Sequence, residues 1–210
     1  MAALTLIDVE SAAISLIDSG ESRGTFGASG SAARLLDSLQ FTAGEGPCLE
    51  AARTMAPVLV PDLAAQDEPR WPVFKEAAER AGVRAVFAFP IRVGRIVLGA
   101  VDLFRSRSGP LSLAQMTDAV LIADAAAQIL LDLIDERGAA GGRTDPLEQW
   151  AQVASLARSD VYRATGMIMA QLELSPPEAL SRLRAYAFTH ELTATEVADM
   201  VTSRRLRLEA

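Results

Sequence analysis

Up to Phe104 the apolar residues fall mostly in short runs punctuated by turn residues, and from Leu113 onward they recur at helical spacing. Ala12 to Ile17 is closed by Asp18-Ser19-Gly20 and followed by Arg23 to Ala28, the pattern of a β-hairpin. Ser31 to Leu39 has helical spacing. After the turn Gly44-Glu45-Gly46-Pro47, the proline opens a second helix through Met55, at a position where its missing N–H costs nothing. Pro57 to Val60 predicts a strand, and Trp71 to Ala81 a helix stopped by Gly82. Val83 to Arg92 and Arg95 to Phe104 predict the longest strands, joined at Val93-Gly94. Val83, Ala85, Phe87, Phe89 and Ile91 share one face of the first. The positions between them are also partly apolar, so the sheet is expected to be covered on both sides. Leu113 to Asp135 follows as a long helix with Met116, Val120, Ala123, Ala127, Leu130 and Ile134 along one stripe.

Glu136 to Thr144, glycine-rich and without large apolar residues, reads as a linker. The expected division is an N-terminal domain at 4–136, a linker at 137–146 and a helical domain at 147–210. Asp145-Pro146 supplies an N-cap and an N1 proline. Leu147, Trp150, Ala154, Ala157, Val161, Ala164 and Ile168 then recur as a heptad stripe, the pattern of a seam for a partner helix. Ser175-Pro-Pro-Glu178 and Thr193-Ala-Thr-Glu196 are capping boxes that open two further helices. Ala179, Leu180, Leu183, Tyr186 and Ala187 share a face of the first, and Val197, Ala198 and Val201 form the inner side of the second. Arg204, Arg205 and Arg207 complement the helix dipole at its end.

The order β-β-α-α-β-α-β-β-α, together with Gly44-Glu-Gly-Pro-Cys-Leu-Glu50 and the strand pair from Gly82 to Phe104, resembles a GAF sensor domain over about residues 4–136. The resemblance implies a central antiparallel sheet with helices on its faces. It also implies a helix ahead of the first strand, and only about ten residues precede that strand here. That face of the sheet is expected to depend on an earlier start or on another chain. In the C-terminal part, Ala164-Thr-Gly-Met-Ile-Met169 with Leu174, Ser175, Glu178, Ala179, Leu183, Arg184, Ala187, Leu192, Val197 and Ala198 resembles the ANTAR domain over about residues 150–205. Members of that family are RNA-binding antiterminators, often with lysine where this chain has Thr165. The expected fold class is α+β, a GAF-like antiparallel sheet followed by an all-α three-helix ANTAR-like domain.

Composition narrows the chemistry. Half of the 210 residues are hydrophobic and the formal net charge is −7, which disfavours indiscriminate adhesion to nucleic acid or to an anionic membrane. The single cysteine, Cys48, excludes an internal disulfide and a cysteine zinc cluster. The single histidine, His190, excludes a histidine triad or haem ligation in the first 140 residues. No apolar run is long enough for a membrane span, and the first residues lack the features of a secretory signal. A cytoplasmic location is expected. No acid–base dyad, metal cluster or phosphate-binding glycine loop stands out, so neither an enzyme nor a cofactor or metal protein is expected.

Arginines and acids nearly balance in the helical domain, so RNA specificity would need a few guanidinium groups set against phosphates and loop bases. The resemblance implies RNA contacts at Arg163, Ala164, Thr165, Gly166, Arg182, Arg184, Tyr186 and His190. Each also has a structural reading: solvated arginines, small residues for close helix packing, a core tyrosine and a capping histidine. Phe87, Phe89 and Asp102 are candidate ligand-binding residues. The aromatics read better as core, and Asp102, in an apolar strand, either lines a pocket or pairs with an arginine. The function implied is a signal-responsive antitermination regulator that binds tandem stem-loop leader RNA. It would be a homodimer through helices 113–136 and 147–168 and answer to an unknown small-molecule effector. The alternatives are a DNA-binding regulator, or a ligand-binding dimer whose helical bundle docks protein.

Overall fold

The computed structural model describes residues 2–18, 20–65, 70–141, 150 and 157–209. A short helix α1 (Ala2–Ile7) leads into β1 (Ser11–Asp18) and β2 (Glu21–Ser29). Then come α2 (Gly30–Ala43), α3 (Pro47–Thr54), β3 (Val58–Val60), α4 (Pro72–Arg80), β4 (Ala85–Val93), β5 (Ile96–Arg105) and α5 (Leu113–Gly141). The C-terminal unit contains α6 (Ser159–Leu172), α7 (Pro176–Thr189) and α8 (Ala194–Thr202). No helix among the described residues is long and apolar enough to cross a membrane.

The five strands form one sheet in the order β2-β1-β5-β4-β3, with every neighbouring pair antiparallel. Its two faces bury different layers. Leu16, Phe87, Phe89, Ile91, Val101 and Leu103 lie under α5 and α1, with Trp150 in the same cluster. On the opposite face Ala13, Val86, Ala88 and Phe104 lie under α2 and α4, and Ile17, Cys48 and Ala100 pack around α3. Burial on both faces explains why β4 reads as an almost unbroken apolar run. Val83 departs from the expected stripe: it precedes β4 and packs in the α2–α4 layer.

Three further differences from the sequence reading matter. α1 does precede β1, and its Ile7 and Leu4 pack in the α5 layer, so part of that face is covered within the chain. α5 runs on to Gly141, so the first part of the expected linker is helical. Residues 142–149 lie outside the described ones. The third difference is the heptad stripe. Leu147 and Ala154 are not described, but Trp150 is buried in the sheet core and its indole Nε1 donates to the Ile17 carbonyl at 3.1 Å. Ala157 and Arg158 form a turn, and Val161, Ala164 and Ile168 are buried between α6 and its neighbours. The described stripe positions are therefore used inside the chain. Periodicity reports an apolar face and carries no information about whose side chains cover it.

The C-terminal helices close a small core of Val161, Ile168, Ala179, Leu183, Val197 and Val201. Both capping boxes form, Ser175 with Glu178 and Thr193 with Glu196, which satisfies N-terminal amides that have no helical partner. One member of this core comes from the other domain. Phe41 of α2 is fully buried in it.

Candidate nucleic-acid interface and the junction between the domains

α2 turns one stripe toward the C-terminal unit: Asp37 and Phe41, with Ser38 and Thr42 beside them, each pair four residues apart. Arg158, just ahead of α6, is buried against this stripe. Its Nη2 donates to Asp37 Oδ2 and Thr25 Oγ1, each at 3.2 Å, and its Nη1 to Thr195 Oγ1 at 3.0 Å and Ser38 Oγ at 3.4 Å. Asp37 also accepts from the Ser15 and Thr25 hydroxyls, so its carboxylate is satisfied from the sheet as well as from the junction. The side chains of this ion pair are only 6% and 1% exposed, and burial pulls the Arg158 pKa below the usual guanidinium value. Both Arg158 and Arg184 stand over the Phe41 ring, each guanidinium carbon 4.4 Å from its centroid.

Thr42 completes the junction. Its hydroxyl donates to the Ser38 carbonyl at 2.8 Å and accepts from the Ala194 amide at 3.1 Å. Ala194 is the first residue of α8, where an amide has no partner within its own helix. The N-terminal domain thus caps a helix of the C-terminal one. Close approach also requires Gly24 of β2. A Cβ there would lie 2.6 Å from Arg158 Cγ, and its φ of +143° is one that side chains disfavour.

Behind the stripe lies a buried polar chain. Gln40 accepts the Cys48 amide through Oε1 at 2.9 Å and donates through Nε2 to Asp102 Oδ2 at 2.5 Å. Gly46 makes room for it, since a Cβ there would lie 2.3 Å from Gln40 Oε1. Asp102 faces small neighbours across both ladders, Ala13 and Ala88. Among the described residues no arginine pairs with it, contrary to one of the two sequence expectations. Burial, with a smaller contribution from the Asp37 charge, raises its pKa to about 8. Burial likewise pushes the Cys48 thiol well up. Phe87 and Phe89 lie on the opposite, α5 face of the sheet, so the three candidate ligand residues do not converge on one pocket. Among the described residues no group of three or more histidine, cysteine, aspartate or glutamate side chains is placed to hold a metal ion.

The expected RNA-contacting residues separate into two sets. Arg182, Tyr186 and His190 recur every fourth position along α7. Arg182 is exposed and donates to the Glu209 carbonyl at 2.7 Å. Tyr186 and His190 stack with ring centroids 3.9 Å apart and 15° between their planes. His190 Nδ1 lies 2.9 Å from the Tyr186 carbonyl, which can only accept, so Nδ1 carries the proton. A groove of about 460 Å³ beside them is lined by Arg182, Tyr186, Leu206 and Arg207. Arg163 and Gly166 are exposed on α6, with Arg163 paired to Asp160 at 2.5 Å.

The second set faces inward. Ala164 is in the bundle core, and Thr165 is buried with its hydroxyl donating to the Val161 carbonyl at 2.8 Å. Arg184 faces the junction and lines, with Thr165, a separate groove of about 860 Å³ between the domains. Sequence reasoning did not single out Asp37, Phe41 or Thr42. Their partners across the junction, Arg158, Arg184 and Ala194, lie more than a hundred residues away, and nothing local marks an interdomain contact.

Comparison with known proteins accounts for this architecture. The family model of the GAF domain matches residues 2–131. This chain belongs to the GAF-domain family. The ANTAR-domain model matches residues 151–201, so the GAF domain is followed by an ANTAR domain. Among solved structures, one similar fold is a domain described as belonging to a two-component sensor histidine kinase protein of Sinorhizobium meliloti 1021. The TM-score is 0.55 at 16% identity, covering 67% of this chain and 91% of that one. Another is the GAF domain/HD domain protein of Geobacter sulfurreducens, with a TM-score of 0.49 at 20% identity over 61% of this chain and 84% of that one. Comparison with curated proteins finds no match. The two families together make the chain a signal-sensing regulator of the ANTAR antiterminator type. The junction built on α2 is then the contact between sensor and output, and it covers Arg184 and Thr165 of the ANTAR domain.

Proposed function

We propose that the ANTAR domain binds structured leader RNA, a pair of short stem-loops, and so keeps a terminator hairpin from forming. The GAF domain controls that binding by holding or releasing the output domain in answer to a small-molecule signal in the cytoplasm. The observation that supports this reading best is the Arg182, Tyr186 and His190 stripe. Stacked rings beside a guanidinium are a platform for unpaired loop bases and their phosphates. Arg163 and Gly166 would extend the contact along α6. Arg184, Thr165 and Ala164 would contribute only after the junction opens, and Ala164 by allowing close approach. Val120, Leu121 and Ile129 remain exposed on α5 and offer a surface for a homodimer that presents two ANTAR domains to two hairpins.

The test is a binding titration of the whole chain at near-physiological salt. The ligands are an RNA with two tandem hexanucleotide-loop hairpins, a single-hairpin RNA and duplex DNA of the same sequence. Tandem RNA is expected to bind most tightly, and His190→Ala to weaken it by about 1–3 kcal/mol, the worth of one stacked base. Arg158→Ala, which loosens the junction, should tighten RNA binding. Preference for duplex DNA, or no RNA binding by either wild type or Arg158→Ala, would overturn the reading.

A further inference from the structure

In the docked arrangement the groove between the domains has the features of a ligand site, set apart from the exposed RNA stripe on α7. Its volume of about 860 Å³ falls within the range of about 300–1,000 Å³ that holds single small molecules. Val73 of the GAF domain and Leu180 and Phe188 of the ANTAR domain give it apolar walls, and Phe188 is 57% exposed although it is a large aromatic. Two cations line it, Arg23 and Arg184, with one carboxylate, Glu21. Arg23 is engaged by Asp18 at 2.9 Å. Arg184 differs: its guanidinium carbon stands over the Phe41 ring, its Nε is buried with no hydrogen-bond partner, and among the described residues it has no ion pair, although the Glu21 charge acts on it across the groove. A guanidinium set over a ring with its Nε unpartnered, at the wall of a largely apolar groove, suits a planar oxyanion on an apolar body.

We propose that this groove binds a small amphipathic anion, a flat apolar body carrying one carboxylate, sulfonate or phosphate. Arg184 takes the anionic group, and Val73, Leu180 and Phe188 take the body. Such a ligand touches sensor and output at once, so its occupancy is coupled to their docking. The site rests on the junction geometry and does not require that the ANTAR domain bind RNA.

The test uses two fluorescent probes of similar shape with the whole chain. One is 8-anilinonaphthalene-1-sulfonate, which carries the anion, and the other is N-phenyl-1-naphthylamine, which lacks it. The sulfonate is expected to bind saturably, with one site per chain. Arg184→Gln should weaken it about tenfold or more, since a charge-assisted hydrogen bond is lost, and leave the neutral probe within about twofold. Phe188→Ala, which leaves Arg184 in place, should weaken both probes, and it keeps the proposal testable if Arg184→Gln fails to fold. The proposal is overturned if the sulfonate does not bind saturably, if Arg184→Gln leaves its affinity unchanged, or if Phe188→Ala leaves both probes unaffected. The RNA titration is scored separately, so either reading can fail without the other.

Discussion

Arg158→Ala should undock the two domains without unfolding either, and the structure sets the size of the effect. The guanidinium is 6% exposed and the Asp37 carboxylate 1%. Removing the arginine leaves a buried carboxylate with only the Ser15 and Thr25 hydroxyls. Breaking a buried pair from one side costs about 3–5 kcal/mol. At 1.4 kcal/mol per decade, that shifts the docking equilibrium by roughly a hundred- to a few-thousandfold. The Ala194 amide reports docking specifically, because its partner is Thr42 of the other domain. Its hydrogen exchange should accelerate by that factor while amides within β4 and β5 keep their protection. The loss should barely respond to added salt, since the pair is out of reach of mobile ions. Gly24→Ala should act in the same direction from the opposite side, because its Cβ would sit 2.6 Å from Arg158 Cγ. In a double-mutant cycle with Asp37→Ala the two losses should be strongly non-additive. An Ala194 exchange rate within threefold of wild type, or additive losses that shrink with salt as for a surface pair, would refute the buried-latch argument.

Two further predictions concern the polar chain behind α2. Asp102 has a folded-state pKa of about 8, above its ordinary value, so the folded protein holds a proton there that the unfolded chain releases. Its contribution to stability is fully present below about pH 4, falls as pH rises by at most about 1.4 kcal/mol per unit, and is lost once pH passes about 8. Asp102→Asn keeps an acceptor for Gln40 Nε2 and should flatten this slope in urea unfolding followed from pH 5 to 9; an unchanged slope would show that the carboxyl is not the titrating group. Cys48 is fully buried with its thiol pKa raised, so a disulfide reagent at pH 8 should leave it unmodified in the native chain and modify it in urea. Rapid native modification would contradict that burial.

The secondary structure was legible because its signals are local. The capping boxes at Ser175 and Thr193, the proline at 47 and the apolar spacing of α5 act over three or four residues, and each produced the expected element. The candidate RNA stripe was legible in part for the same reason: Arg182, Tyr186 and His190 share a helix face that spacing alone defines. Where the reading failed, a local pattern had more than one possible partner. Trp150, Val161, Ala164 and Ile168 form a regular stripe, yet the first packs into the sheet and the others into the bundle. Asp102 stood out as a charge in an apolar strand, but its partner Gln40 lies 62 residues away on α2.

The sequence by itself therefore determined most of the elements, though not α1 or the full length of α5, together with the two-domain order and the family each domain resembles. All of these follow from short-range periodicity, caps and local residue identity. Only the tertiary structure decided which faces meet. It showed that Arg158 crosses to Asp37, that Phe41 fills the core of the other domain, and that Thr42 caps α8. It also divided the candidate RNA residues into an exposed stripe and a covered set. These choices depend on side chains far apart along the chain being desolvated together. The free energy of burying a charge or a ring depends on its surroundings, and no short window of residues records them.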